Sequence, residues 1–519
     1  MSKHYDVVIL GAGVGALTTA ALLARRSWRV LVLGQGYRPA HYAFDGLPLA
    51  RRPFTFIAGS SPGWARVTGE LAHSQSFRRH VATLDPMLQI LAPRLRLSVH
   101  ADGALLGREI EREFPEVRRV VDDLDAELAR TNAVVDAAFE RDAVWPPGTF
   151  WERRETSRVA ADLPYLGEPG REILADFPRD HPYRAIVETP AAFASDIEGT
   201  LPPFALARLH GAWMRGIGEL GRGEADLVDF LVDRVRAHGG EARLGDRASQ
   251  ITTRRGRATG VSIEGDDDPT GVQFVVSEQT SSDVLDLASD YRPSRRALDA
   301  RPRMDVGAQR FVVSMLVRDE GLPAPLATEA FLLSEPGATR PVVHLQKSPI
   351  PSPIPGSTLL VAETIVGSDH PFDRDAIRRV RAAVVSVVES FLPFVERHYV
   401  LVDSPHDGLP LWDYRSGKRV RVDRTELRAG GGSIDPEPMV PRFRMDAADV
   451  AGATRTGALA GEPIRFTLGG AFGVGRSILP GLGQEGELLA AWGVARIITR
   501  TDRRKERMRR EMWSKVELR

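Results

Sequence analysis

Gly11, Gly13, Gly15 and Ala16 lie close together near the start of the chain, and as a group they can hold an anion on bare backbone. Glycine at 11 permits a tight turn, glycine at 13 lets the main chain approach a phosphate, and small Ala16 lets a helix pack closely on the preceding strand. With Ala12 and Val14 they complete a run that offers free N–H groups and the positive end of a helix dipole. The chemistry expected of it is binding of a dinucleotide pyrophosphate; the alternative is a glycine turn that serves packing alone. About 20 residues further on, a carboxylate normally binds the ribose hydroxyls. Gly34 stands there instead, followed by Gln35 and Gly36. The missing carboxylate removes a charge-assisted hydrogen bond worth roughly 1.5–3 kcal/mol, and Gln35 can accept one ribose bond through its amide oxygen. A second glycine-rich run, Gly469 to Gly483, follows far along the chain.

The elements needed to position these residues are legible. Tyr5–Leu10 is an apolar run that reads as a buried strand, Leu17–Arg26 as a helix and Trp28–Leu33 as a second strand. Phe54–Gly59 and Leu95–His100 read as strands, with Ala101-Asp102-Gly103 as a hairpin turn after the latter. A long helical stretch covers about 108–141, and Ala225–His238 is an amphipathic helix ended by Gly239-Gly240. Strands are expected at Glu241–Leu244, Ala248–Thr253, Ala258–Ile263 and Gly271–Ser277. Beyond residue 300, four strands at Gln309–Val317, Glu329–Leu333, Pro341–Gln346 and Thr358–Ile365 precede a helix at Arg374–Leu392 and a fifth strand at Arg397–Val402. That block reads as an antiparallel sheet with a helix. The closing style returns to that of the opening, with a strand at Ile464–Leu468, the glycine loop, and a helix at Glu485–Thr499.

Composition narrows the classes. The 43% hydrophobic and 27% charged content of these 519 residues is that of a globular chain with room for a large core. Basic and acidic residues both number 69, so no global field favours nucleic acid. The absence of cysteine excludes disulfides, thiolate metal sites, a cysteine nucleophile and a cysteine-linked flavin. Histidines are scattered, and neither His73 with His80 nor His398 with His406 has carboxylates at ligand spacing, so no metal site is expected. Asp266–Asp268 reads as a solvated turn. The chain passes directly into its first strand, and no run reaches the roughly 18 uncharged apolar residues of a membrane span. The expectation is a cytoplasmic protein.

In this order the pieces resemble the carotenoid (phytoene) desaturase branch of the FAD-dependent amine-oxidase-like flavoproteins. The resemblance rests on Tyr5–Leu33, Phe54–Gly59, Leu84-Asp85-Pro86 through Asp102-Gly103, Ala225–Ser277 and Phe466–Arg500. It implies an α/β fold in which a Rossmann-like FAD domain is built from discontinuous segments (1–70, 215–300 and 455–500). An α+β substrate domain containing an antiparallel sheet (71–214 and 301–454) is inserted between them, and 501–519 form a tail. It implies FAD as cofactor, held at Gly11, Ala12, Gly13, Val14, Gly15, Ala16 and Gln35, and at the C-terminal loop by Gly469, Gly470, Pro480, Gly481, Leu482 and Gly483. The chain departs from the family at Gly34, at Ala40-His41-Tyr42 where a Gly-Gly-Arg motif is usual, at Ala471 where an acidic residue is common, and at Arg222-Gly223 in place of a glycine pair.

The implied activity is hydride transfer between flavin and a hydrophobic, isoprenoid- or lipid-like substrate, in desaturation, saturation or isomerisation. No nucleophile–base constellation is visible and no catalytic residue is assigned; Lys347 and Lys418 are the candidates for the flavin-facing lysine of the amine oxidase branch, with a surface or structural role as the favoured alternative for either. The alternative is a flavin-free binding protein of the GDP-dissociation-inhibitor type for a lipidated partner. Met508, Met512 and Val516, beside Trp513 and many arginines, make the tail a basic amphipathic helix suited to an anionic membrane surface or a partner groove, with a solvated helix as the plain alternative. Peripheral membrane contact is thus expected through the tail, and oligomeric state is left open.

Overall fold

The computed structural model describes residues 4–517 apart from 169, 300–301, 303, 336–339, 368–373 and 446–460. The opening run forms strand β1 (His4–Leu10), whose Val7–Leu10 portion is fully buried. Helix α1 (Val14–Arg25) and strand β2 (Val30–Leu33) follow. β1 lies between β2 and strand β3 (Thr270–Ser277), parallel to both, with Val8 beside Leu31 on one side and Val275 on the other. Strand Glu241–Arg243 continues the parallel ladder past β2, and strand β4 (Ala471–Gly473) continues it past β3. Burial on both faces explains why these strands are continuously apolar rather than alternating. The antiparallel hairpin Ala248–Arg254/Arg257–Ile263 meets β3 at its start.

Helix α2 (Gly483–Thr499) packs along α1, and almost every one of its side chains is buried. Two buried ion pairs fix this layer: Arg26 Nε to Glu70 at 2.7 Å, and Arg208 Nε to Glu485 at 2.6 Å. Among the described residues the second sheet has ten strands. Its spine, Met304–Arg318, pairs antiparallel with Ser357–Gly367 along its whole length from Ala308 to Arg318. Leu88–Ala92 and Leu95–Val99 close its far edge by a parallel contact, Ala330 beside Gln89. The helix Arg374–Phe391 covers one face with Val384, Val387 and Val388. The architecture is the α/β fold expected: a Rossmann-like parallel sheet assembled from distant segments, with a largely antiparallel sheet inserted.

Local readings differ at several places. The helix expected over about 108–141 is two helices, Gly103–Glu113 and Arg118–Phe139, parted by a short turn at Pro115–Val117 where the proline ends the first. Phe54–Gly59 is not a strand: Phe56 and Ala58 are buried, but the chain turns into a short helix at Ile57–Ser60, and Ser61 Oγ caps the next helix by accepting from Trp64 N at 3.2 Å. Asp102-Gly103 begins a helix, Gly103–Glu113, because Asp102 Oδ1 accepts from Ala104 N at 2.7 Å, an N-cap that the same dipeptide serves as well as a turn. Ile464, Phe466 and Leu468 are buried, but the segment lies outside the ladder; β4, a few residues later, is the segment that pairs with β3.

The tail forms helix α3 (Arg503–Glu517), laid against the body. Lys505 Nζ sits 3.6 Å from the centre of the Trp28 ring, and buried Arg509 reaches Asp142 at 2.9 Å. The side chains of Trp513 and Val516 lie outside the described residues. Among the described residues no helix is long and apolar enough to cross a membrane.

Candidate functional site

Five parallel strands end at one edge of the first sheet, where α/β folds place ligands. The residues just past those ends are Gly11, Gly34, Leu244, Glu278 and Val474. They are locked in register by Gly11 N to Leu33 O at 2.8 Å, Glu278 N to Leu10 O at 3.0 Å, Gly34 N to Arg243 O at 3.1 Å and Val474 N to Ser277 O at 2.9 Å. Gly11 has φ +122°, a conformation that strains any residue with a side chain. Gly13 is extended, with ψ 177°, so its amide and those behind it open toward the edge as α1 begins. Fully buried Ala16 supports α1 on the sheet, as its size suggests.

The amides meet carboxylates of the chain itself. Glu278 Oε2 accepts from Gly13 N at 2.6 Å and its Oε1 from Ala12 N at 3.3 Å, while Glu487 Oε2 accepts from Gly15 N at 3.3 Å. These oxygens occupy the position at the start of the helix where its free amides attract an anion. A Cβ on Gly11 would overlap the Glu278 side chain, and one on Gly13 would lie 2.6 Å from its Oε2. Burial pushes both carboxyls up, Glu487 to about 7, against the lowering effect of the amides and of Arg476. Arg476 lies 4.0 Å from Glu487 and 3.3 Å from Asp196. The donor set therefore fits a pyrophosphate, and the seat holds Glu278.

The remaining expected residues divide. Ala12, Val14 and Gly15 surround the nest. Gln35 does not face it: its amide group is spent on strand Ala248–Arg254, accepting from Ala248 N at 2.8 Å and donating to Ala248 O at 3.1 Å. At Gly34 no side chain is tolerated, since a Cβ would overlap the Leu244 carbonyl oxygen. Gly469 and Gly470 stand at the wrong end of β4, before the strand rather than after it. Gly469 N donates to Gly256 O at 2.9 Å, and Gly470 O accepts from Val275 N at 2.9 Å. Pro480, Gly481 and Leu482 form a buried turn whose Pro480 oxygen accepts from Asp196 N at 2.9 Å, and a Cβ on Gly483 would overlap the Ala194 oxygen. These four serve packing at the start of α2. The functional groups missed are Glu278, Glu487 and Arg476. A charged residue directly after an apolar strand was the available signal for Glu278.

A second, narrow concavity lies between the second sheet, at Glu329 and Gln346, and the segments around Phe54–Phe56 and Ile217–Leu220. Phe54, Phe56, Leu84 and Ile217 give it apolar walls, and Glu219, Glu329 and Gln346 give it a polar side. Glu329 is tied to His344 Nε2 at 2.6 Å, to Gln346 Nε2 at 2.7 Å and to Thr55 Oγ1 at 2.7 Å. Burial, together with the Glu329 charge, raises the Glu219 carboxyl. Lys347 donates to Leu326 O at 2.6 Å and is lowered by burial, whereas Lys418 is exposed.

No family model matches the chain, and no curated protein does. Solved structures do resemble it. An oxidoreductase from Methanosarcina mazei aligns over 94% of this chain and 99% of its own, at 16% identity and a TM-score of 0.55. A putrescine oxidase redesigned in its cofactor binding aligns over 97% and 100%, at 12% identity and 0.55. The PF1083 protein of Pyrococcus furiosus aligns over 77% and 87%, at 16% and 0.50. The chain has the fold of the first two across nearly its whole length.

Proposed function

We propose that this protein is an FAD-dependent oxidoreductase acting on a hydrophobic substrate. The observation that carries the reading is the convergence of the Ala12, Gly13 and Gly15 amides on carboxyl oxygens at the N-terminus of α1. Support comes from the fold, shared with an oxidoreductase and with putrescine oxidase. When bound, FAD would supply the redox chemistry by exchanging a hydride with substrate. The chain would hold its pyrophosphate on the three amides, and Arg476 would offset the phosphate charge. With Gly34 and Gln35 unable to take the ribose, that end would be held by backbone alone.

The concavity beside the second sheet is the proposed substrate side. Phe54, Phe56, Leu84 and Ile217 would exclude water from an apolar group, and Glu219 would accept a hydrogen bond from a donor head, with Glu329 held in place by its own partners. That favours an apolar molecule bearing a donor group over a pure hydrocarbon. Peripheral membrane contact through α3 is part of the proposal, as a route for such a substrate. The test is to denature the purified protein and identify released nucleotide by chromatography. FAD close to one per chain, after reconstitution if needed, is expected; failure to load FAD under any condition overturns the reading.

A further inference from the structure

We propose that Glu278 is an internal competitor for the dinucleotide: a carboxylate latch that occupies the pyrophosphate seat and must rotate away before a ligand enters. The inference rests on the nest being that of the proposed function, and it concerns how the nest is regulated.

Geometry carries it. The Glu278 backbone cannot move: its N donates to Leu10 O at 3.0 Å, and a Cβ on Gly475 would lie 2.7 Å from its carbonyl carbon. Only the side chain is free to exchange. It reaches across from β3 to the β1–α1 turn, where it takes two amides that no other group satisfies among the described residues. Carboxylate and phosphate oxygens compete for the same N–H groups, so occupancy by one excludes the other. A pyrophosphate entering beside a fixed Glu278 would meet like charge at hydrogen-bond distance, with Glu487 adding to it from α2. Two features make the carboxylate exchangeable. Glu278 retains part of its surface toward solvent, so the seat is not sealed. Arg476, half exposed at 42% and paired with Asp196, is a positive charge close enough to act on the Glu278 carboxyl.

The test compares wild type with Glu278→Ala and Glu278→Gln by calorimetric titration with FAD and, separately, with inorganic pyrophosphate. Glu278→Ala removes the competing oxygens, and about tenfold or greater tightening of both ligands is expected, the worth of one charge-assisted hydrogen bond. Glu278→Gln keeps the volume without the charge, should tighten them less, and carries the test if the alanine variant fails to fold. Pyrophosphate should also raise the melting temperature of Glu278→Ala more than that of wild type. Equal affinities across all three proteins overturn the latch while leaving the FAD reading intact. Tighter pyrophosphate binding with no FAD uptake in any protein sustains the latch and overturns the FAD reading. Folded variants that bind neither ligand overturn the latch, because the amides would then not be an anion seat.

Discussion

Substituting Gly34 tests whether its glycine reflects a lost ribose contact or a steric demand. A Cβ there would stand 2.6 Å from the Leu244 carbonyl carbon and 2.8 Å from its Cα, and would overlap the carbonyl oxygen. Those atoms are backbone and cannot rotate aside, so β2 and strand Glu241–Arg243 must separate locally. Overpacking of this kind costs about 1–3 kcal/mol. The hydrogen bond from Gly34 N to Arg243 O, now 3.1 Å, is lost with the separation and contributes about 1 kcal/mol. Gly34→Ala should therefore lower stability by about 2–4 kcal/mol, read as a fall in the urea midpoint at unchanged slope. Gly34→Glu should be worse and should not restore ribose binding. A Gly34→Ala protein within about 0.5 kcal/mol of wild type would refute the steric account and reopen the site to a carboxylate.

Stability should also depend on pH through Glu487. Its folded carboxyl is raised from 4.5 to about 7, so the folded state holds the proton more tightly than the unfolded one. The contribution is full below the unfolded value and is lost as pH rises through about 7, up to about 3 kcal/mol. Arg476, Asp196, Glu278 and the Gly15 amide are the groups facing it, and Glu487→Gln should flatten that part of the pH–stability curve. If wild type and variant run parallel from pH 4.5 to 7.5, the burial argument is wrong. Truncation after Thr501 should abolish co-sedimentation with anionic liposomes at low salt while leaving nucleotide content unchanged. Full-length protein that stays in the supernatant would exclude the membrane role of α3, whose Lys505 and Arg509 are already engaged with the body.

The parts legible in the sequence were those fixed by local pattern. Val7–Leu10 could only be a buried strand, and the glycines that follow admit few turns, so the β1–α1–β2 unit was readable. The inserted sheet was readable because its strands are long and bounded by proline and glycine. Glu278 was not, because its role depends on β3 lying beside β1, a pairing between segments more than 250 residues apart that no local pattern encodes. Gly469 and Gly470 were misplaced for a smaller reason. Ile464–Leu468 alternates apolar and polar residues as a strand does, and taking it rather than Ala471–Gly473 as the sheet strand carries both glycines to the opposite edge of the sheet. Gln35 showed an acceptor but not its partner, since Ala248 reaches it only through the fold.

The most direct measurement of the central claim is a crystal structure of the protein grown with FAD. The account predicts phosphate oxygens within hydrogen-bond distance of Gly13 N and Gly15 N, with the Glu278 carboxylate turned away toward Arg476. Glu278 still bound to Gly13 N, with FAD absent or seated elsewhere, would contradict it.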